Sequence, residues 1–402
     1  MVVMARLIIC LGLIASRVYA DASTNIVSHS QVLATVIKNA EQLAIYIEIF
    51  PNPTYKPDEG NASLAGTTAW AANQLTQGGM IFVHAGTYSV ATPITISNAG
   101  ITLQCADPGS TIFQAASSFN STMFKIGWAG AQRQGMVVRD CGFNGNNGSQ
   151  SSGTILDVRD TANALIEHNY IRFAKQHGLV LESTQPSSIV TNHIVGNDIF
   201  ECGGACLEIL DNGGTTSDNI VDRNTIGGSV IGDHISPWVY ITGADGLQFK
   251  NNHISGTDHK EGMLFSASGQ ADILVADNVI ENTGGTGIYF NGYQSQIVEN
   301  DFYNVGTWLP NSYDMIDLDD CDGMLISNNK VTGYDTTRDG VRLFNGTSNS
   351  LVVGNVFRQL SGAGVNIVGS SAANNTIAAN QYTKVSVAID DSGAGTITAL
   401  LK

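Results

Sequence analysis

The sequence predicts an all-β fold: a single-stranded right-handed parallel β-helix of about ten to twelve rungs behind an N-terminal helical cap. Three observations lead there. An asparagine returns at Asn169, Asn197, Asn224, Asn252, Asn278, Asn300, Asn329, Asn355 and Asn380, at intervals of 28, 27, 28, 26, 22, 29, 26 and 25 residues. Each sits in a short apolar-polar alternation, such as ISNNKV around Asn329. The 402 residues include 44 glycines and only 8 prolines, which suits many tight turns between short strands. A repeat of this length is one supersecondary unit that cannot bury its own apolar face, so the units must stack. A leucine-rich repeat would carry denser leucine, and a propeller would repeat at about 40–45 residues.

In chain order, residues 1–20 read as a secretory signal peptide. Arg6 is the positive n-region, LIICLGLIA the apolar core, and Ala20 the small residue before a cut. No later stretch is long and apolar enough for a membrane span. The expected location is therefore secreted, either extracellular or periplasmic. Residues 21–79 form the cap region. HSQVLATVIKNAEQLAIYIEIF reads as a helix or helix-strand cap, and TTAWAANQLTQ as a short amphipathic helix. Residues 80–402 form the β-helix. Its rungs begin near Ile101, Met136, Leu165, Ile189, Ile220, Leu247, Ile273, Ile297, Met324, Leu351 and Ile377, and ITALLK makes a weak last strand. Asparagine at a fixed bend can donate and accept along the stack, satisfying polar groups beside the core.

Outside the leader, the cysteines are Cys105, Cys141, Cys202, Cys206 and Cys321. Cys202 and Cys206 flank a GGA turn and are the candidate bridge; buried free thiols are expected elsewhere. A net charge of -16 with no Lys/Arg cluster speaks against nucleic acid.

Aligning the second strand of each rung by its apolar residues gives an outward column of Val180, Glu208, Tyr240, Leu264, Tyr289, Asp317, Arg342 and Asn366. Two tyrosines, two acids and an arginine make this look like a binding surface. Stacked residues lie about 4.8 Å apart, so Glu208 and Asp317, four rungs apart, are about 19 Å from each other and cannot share one step. Glu208 is instead a candidate distal sugar contact. Asp317 and Asp319 share one strand face at about 6–7 Å, a spacing at which carboxyls act as acid and base or acid and nucleophile. Crowding within YDMIDLDDCDG should raise at least one of their pKa values. Asp320 is the alternate catalytic carboxylate. The same acidic turn also reads as a calcium site or as plain surface. Tyr240, Tyr289, Arg342, His259, Lys260 and Trp308 are candidate substrate contacts. Arg342 would recognise a sugar carboxylate, orient an aspartate, or form a surface ion pair. Trp308 and Tyr313 would stack on sugar rings or shield their loop.

The opening GGMIFVHAGTYSV, together with the rung pattern over about residues 60–400, resembles the pectin-lyase-like superfamily of parallel β-helix proteins. That resemblance implies a carbohydrate-active protein. FECGGACLEIL (200–210) and DGVRLFNGTSNSLVVGNVFR (339–358) more weakly resemble inulin fructotransferases, which implies a secreted homotrimer cleaving fructans intramolecularly with carboxylates. The Asn-Thr-Asp and Gly-His-Gly segments of polygalacturonases are missing, and so is the Tyr-Gly-x-Asp-Pro-His-Asp motif of alginate C5-epimerases. The expected function is cleavage of glycosidic bonds in an extracellular polysaccharide or oligosaccharide by paired carboxylates, as a hydrolase or intramolecular transferase, with no cofactor. The alternatives are a uronate-directed lyase, with Ca2+ as its possible cofactor, and a non-catalytic carbohydrate-binding surface protein.

Overall fold

Each coil of the chain contributes one short strand to each of three long parallel stacks. A computed structural model describes residues 75–399, apart from 129, 185–187, 229–235, 257–259 and 267–268. It also describes Ala72 and the backbone of 27–29, 32–37 and 46–51. A representative coil runs through Leu165–Glu167, bends at His168 and Asn169, continues through Tyr170–Arg172, loops, and returns along Leu179–Thr184. The first sheet has sixteen strands, and twenty-two more form the second and third stacks. The strands Val356–Ile367 and Gln381–Asp391 run through both of those stacks, with a register shift between Leu360 and Ala363. A short fourth sheet of five strands lies between the third stack and the first.

The core is a column of Ile, Leu, Val and Phe from the inward positions, stacked rung on rung. Phe113 lies against Phe143 with ring centroids 5.5 Å apart, and Phe265 against Phe290 at 4.7 Å. Each fully buried side chain of this kind contributes about 1.5–3 kcal/mol.

The bend between the first and second sheets explains the asparagine period. The residue before each ladder asparagine is left-handed, with φ of 53° at His168, 56° at Arg223 and 58° at Glu299. The chain therefore turns sharply, and the backbone N–H of the asparagine finds no strand partner. The next rung supplies one. Asn278 N–H donates to Asn300 Oδ1 at 2.9 Å, and Asn278 Nδ2 donates to the same oxygen at 2.9 Å. Asn278 Nδ2 also donates back to Phe249 O at 3.0 Å. The pattern repeats from Asn169 to Asn380, and Cys141 N–H tops the column by donating to Asn169 Oδ1. Every ladder asparagine is buried.

Two expectations need correction. Where the sequence suggested a helix or helix-strand cap over 29–50, the described backbone, 29, 32–37 and 46–50, is strand. Val27–His29 and Val32–Ile37 pair antiparallel, Val32–Ile37 pairs antiparallel with Tyr46–Pro51, and that strand pairs in parallel with Gly79–Val83. The β-branched VLATVI and IYIEIF prefer a pleated surface, and the sheet edge was available to take them. TTAWAANQLTQ lies mostly outside the described residues, as does the 1–20 leader. The second correction concerns the disulfide. The bridge joins Cys105 to Cys141, whereas Cys202, Cys206 and Cys321 are free and buried. The register Gln104↔Arg139 puts the two bridged residues at the same corner of adjacent rungs. Among the described residues no helix is long and apolar enough to cross a membrane.

Asn300→Ala should leave the N–H and Nδ2–H of Asn278 without their acceptor inside the core. We expect a loss of about 2–4 kcal/mol, read as a lower urea midpoint. A loss under about 0.5 kcal/mol would mean that the ladder is not a stabilising element.

Candidate active site

The third stack carries the outward column in the register expected from the alternation. Val180 pairs with Glu208, Glu208 with Tyr240, Tyr240 with Leu264, Leu264 with Tyr289, Tyr289 with Asp317, Asp317 with Arg342, and Arg342 with Asn366. Four rungs therefore separate Glu208 from Asp317, about 19 Å. The column is more enclosed than a solvated strand face: Asp317 is 7% exposed and Glu208 9%.

The acidic run breaks into distinct environments. Asp314, which the sequence reading passed over, is wholly buried at the end of the 304–315 loop. Arg338 grips it, with Nε donating to Oδ1 at 2.9 Å and Nη2 to Oδ2, and the Asp339 N–H adds a 3.0 Å bond to Oδ1. This pairing holds the Arg338 guanidinium above its usual pKa. Asp339 accepts from Ala363 N–H and Asn366 Nδ2, each at 2.7 Å; burial nonetheless raises its pKa.

Asp317 accepts a long 3.4 Å bond from Thr286 Oγ1 at one oxygen, while its Oδ1 is buried with no donor. Burial pushes its carboxyl up to about 9. The charge of Asp314 adds to this, and Arg342 and Arg338 oppose it.

Asp319, on the same strand, is half-exposed and accepts from the Tyr289 hydroxyl and, at 2.8 Å, from Asn345 Nδ2. Burial and the Asp319 contact hold the Tyr289 phenol protonated, well above its usual pKa. Asp320 sits exposed at a left-handed turn with φ 52°. Asp322 is exposed and accepts from Ser348 Oγ and Asn349 Nδ2. The run thus does not converge on one point. Among the described residues no group of three or more His, Cys, Asp or Glu is arranged to hold a metal ion.

Arg342 stacks on the Phe344 ring, 4.2 Å from its centroid, and Phe344 meets Tyr289 edge-on at 6.5 Å. Among the described residues no ion pair joins Arg342 to Asp317, though the arginine's charge still lowers the Asp317 pKa. Tyr240 accepts a 3.0 Å bond from Ser266 Oγ. Lys260 and Trp308 lie on stacked loops beside the column. Gly285 N–H donates to Lys260 O and Trp308 N–H to Gly284 O, and Trp308 is 56% exposed. Arg338 N–H donates to Tyr313 O, tying that loop to the Asp314 network. His259 lies outside the described residues.

Glu208 belongs to a second group that sequence reasoning largely missed. His177 Nδ1 lies 3.0 Å from its carboxylate. Beside it, Arg159 binds Glu182 and approaches Asp157 at 3.5 Å, and its guanidinium lies 3.7 Å from the Trp128 ring centroid. Burial pushes Asp157 up to about 6, against the lowering charge of Arg159. Asp157 pairs with Val180, so extending the aligned column by one rung would have found it.

The family described as "Right handed beta helix region" matches residues 237–400. A comparison with curated protein sequences gives no match. Among solved structures, the mannuronan C-5 epimerase AlgE6 A-module of Azotobacter vinelandii is similar, with a TM-score of 0.54 at 15% identity over 86% of this chain and 97% of that one. The tailspike protein 2 enzymatically active domain of bacteriophage CBA120 gives 0.59 at 10% identity, over 80% and 52%. The Streptococcus pneumoniae surface protein and adhesin PfbA gives 0.56 at 13%, over 86% and 98%. At such identities these likenesses show the fold.

The raised Asp317 pKa has a consequence for stability. The folded chain keeps a proton that the unfolded chain, with the ordinary value of 3.8, gives up. The stability that Asp317 contributes is therefore full below about pH 4 and is lost as pH rises through about 9. Asp317→Asn removes that dependence. We expect the variant to gain melting temperature relative to the parent at about pH 8, with the gain shrinking toward about pH 4. An equal difference at both pH values would mean that Asp317 is ionised in the folded protein.

Proposed function

We propose that this chain, a right-handed parallel β-helix of the pectin-lyase-like superfamily, is a carbohydrate-active enzyme that cleaves glycosidic bonds with a pair of carboxyls on its third sheet. The observation that carries the reading is the buried Asp317 carboxyl, its Oδ1 without a donor and its pKa pushed up to about 9 by burial, in a column that also presents Glu208, Tyr240, Tyr289 and Arg342. A carboxylic acid that stays protonated at neutral pH is what general acid catalysis needs. Asp317 donates to the departing glycosidic oxygen. Asp319, two residues along the same strand and steadied by Tyr289 and Asn345, acts as base toward an incoming hydroxyl or as nucleophile at the anomeric carbon. Water as acceptor makes the reaction a hydrolysis; a hydroxyl of the same glycan makes it an intramolecular transfer. Arg342, Tyr289 and Tyr240 position sugars from the column, and Lys260 and Trp308 do so from the loops, with His259 as a further candidate contact. Asp320 points into a turn and has no part in this scheme. The polysaccharide-acting epimerase among the structural neighbours supports the substrate class.

A second reading has its own observation. A neutral Asp317 with Arg342 on the next rung is a suitable cradle for a uronate carboxylate, which would favour elimination over hydrolysis. The adhesin neighbour gives the non-catalytic reading its support. The leader-like first twenty residues and the Cys105–Cys141 bridge favour an extracellular or periplasmic location. The fructotransferase resemblance favours a homotrimer.

A screen of fructans, uronans and neutral glucans tests the proposal. Asp317→Asn and Asp319→Asn should each lower kcat about 100- to 10,000-fold with the fold retained. Parent turnover should fall as pH rises through about 9, because Asp317 must carry its proton. Products absorbing in the ultraviolet from a new double bond would replace cleavage by elimination. Binding without turnover, unchanged in Asp317→Asn, would leave a binding protein. Chelation should not alter turnover by paired carboxyls; turnover lost on chelation, with ultraviolet-absorbing products, would favour the Ca2+-dependent elimination instead.

A further inference from the structure

The second sheet carries a hollow that the glycosidic chemistry does not use. It encloses about 250 Å³ between the 107–110 turn, Gly142, Asn144, Tyr170, Arg172 and Phe173. Five rungs separate the Tyr170 strand from the one preceding Asp317, about 24 Å along the axis, and the two sites lie on different sheets.

The hollow is preformed. In the outward column Ile112, Gly142 and Tyr170 succeed one another on adjacent rungs, and the middle position has no side chain. A Cβ at Gly142 would lie 2.3 Å from Pro108 O, so only glycine lets the turn fold in at this point. Asp107 holds that turn by accepting from the Gly109 and Ser110 N–H groups. The Cys105–Cys141 disulfide ties the strand leading into the turn to the residue just before Gly142.

Its chemistry is specific. Tyr170 is 40% exposed and Phe173 38%. Arg172 lies over the Tyr170 ring, 4.6 Å from its centroid, and binds the Asp198 carboxylate. Its charge is therefore already paired. A wall of exposed aromatic rings with its neighbouring charge neutralised matches a neutral sugar unit, whose C–H face stacks on such rings. The volume suits one ring.

We propose that this hollow is an auxiliary glycan-binding site that takes one neutral sugar unit of the polysaccharide processed at the third sheet. It rests on the glycan-cleaving reading above. It would hold the polymer to the enzyme without touching the bond that breaks.

Affinity electrophoresis tests it, with gels containing a soluble fructan, a soluble uronan or a soluble neutral glucan. Asp317→Asn serves as the slow-turnover parent, and Tyr170→Ala and Phe173→Ala are each added to it. Both positions are exposed, so melting temperatures should hold. On the gel whose polysaccharide the wild type cleaves, each aromatic substitution should weaken Kd about 3- to 10-fold. The Cys105→Ser/Cys141→Ser double variant should weaken it too. In the wild-type background, kcat on a short oligosaccharide of the same glycan should be unchanged by Tyr170→Ala. Unchanged retention in both aromatic variants, with the polysaccharide still cleaved by the wild type, overturns the auxiliary site alone. A wild type that neither cleaves nor is retarded by any of the three glycans overturns the enzymatic reading and this site with it.

Discussion

Everything else in this molecule depends on the hydrogen bond that each ladder asparagine makes to the next. The bend after the first sheet leaves a backbone N–H outside any strand, next to an apolar core where an unmade bond is costly. One asparagine oxygen accepts both that N–H and the amide of the preceding rung. The oxygen must then sit one strand spacing away, so the ladder fixes the register of successive coils. In a parallel sheet a slip of one residue would turn every outward side chain inward. The chemistry of the third sheet is therefore set by a hydrogen bond at the opposite corner of the coil.

Register also decides which charges meet. Asp317 is flanked along the stack by Tyr289 and Arg342 and approached from the loop side by Asp314. The Arg338 fork could not neutralise both acids, because it is committed to Asp314 and Asp339. Burial thus favours the protonated form of Asp317 while Asp314 stays paired. Such an arrangement costs stability at neutral pH.

The parts legible in the sequence are those that repeat. The asparagine spacing exposed the coil, and alternation within each rung found the Val180-to-Asn366 column residue for residue. The Cys105–Cys141 pair was also within reach, because rungs starting at Ile101 and Met136 put both cysteines at the same corner; local proximity drew attention to Cys202 and Cys206 instead. Asp314 was not legible. It lies in a loop ahead of the aligned strand, and its direction depends on how the 304–315 loop packs against 333–338. The strands over 27–51 were obscured for a different reason: alanine, lysine and glutamate around the β-branched residues favour helix locally, and a partner sheet edge outweighed that preference.

The central claim is that Asp317 carries a proton at neutral pH. Infrared difference spectroscopy between the parent and Asp317→Asn, titrated from about pH 6 to pH 10, reads that proton directly. A protonated-carboxyl carbonyl band present in the parent at about pH 7, absent from the variant and disappearing as pH passes about 9 is the predicted result. An ionised-carboxylate signal from Asp317 across the whole range would contradict it.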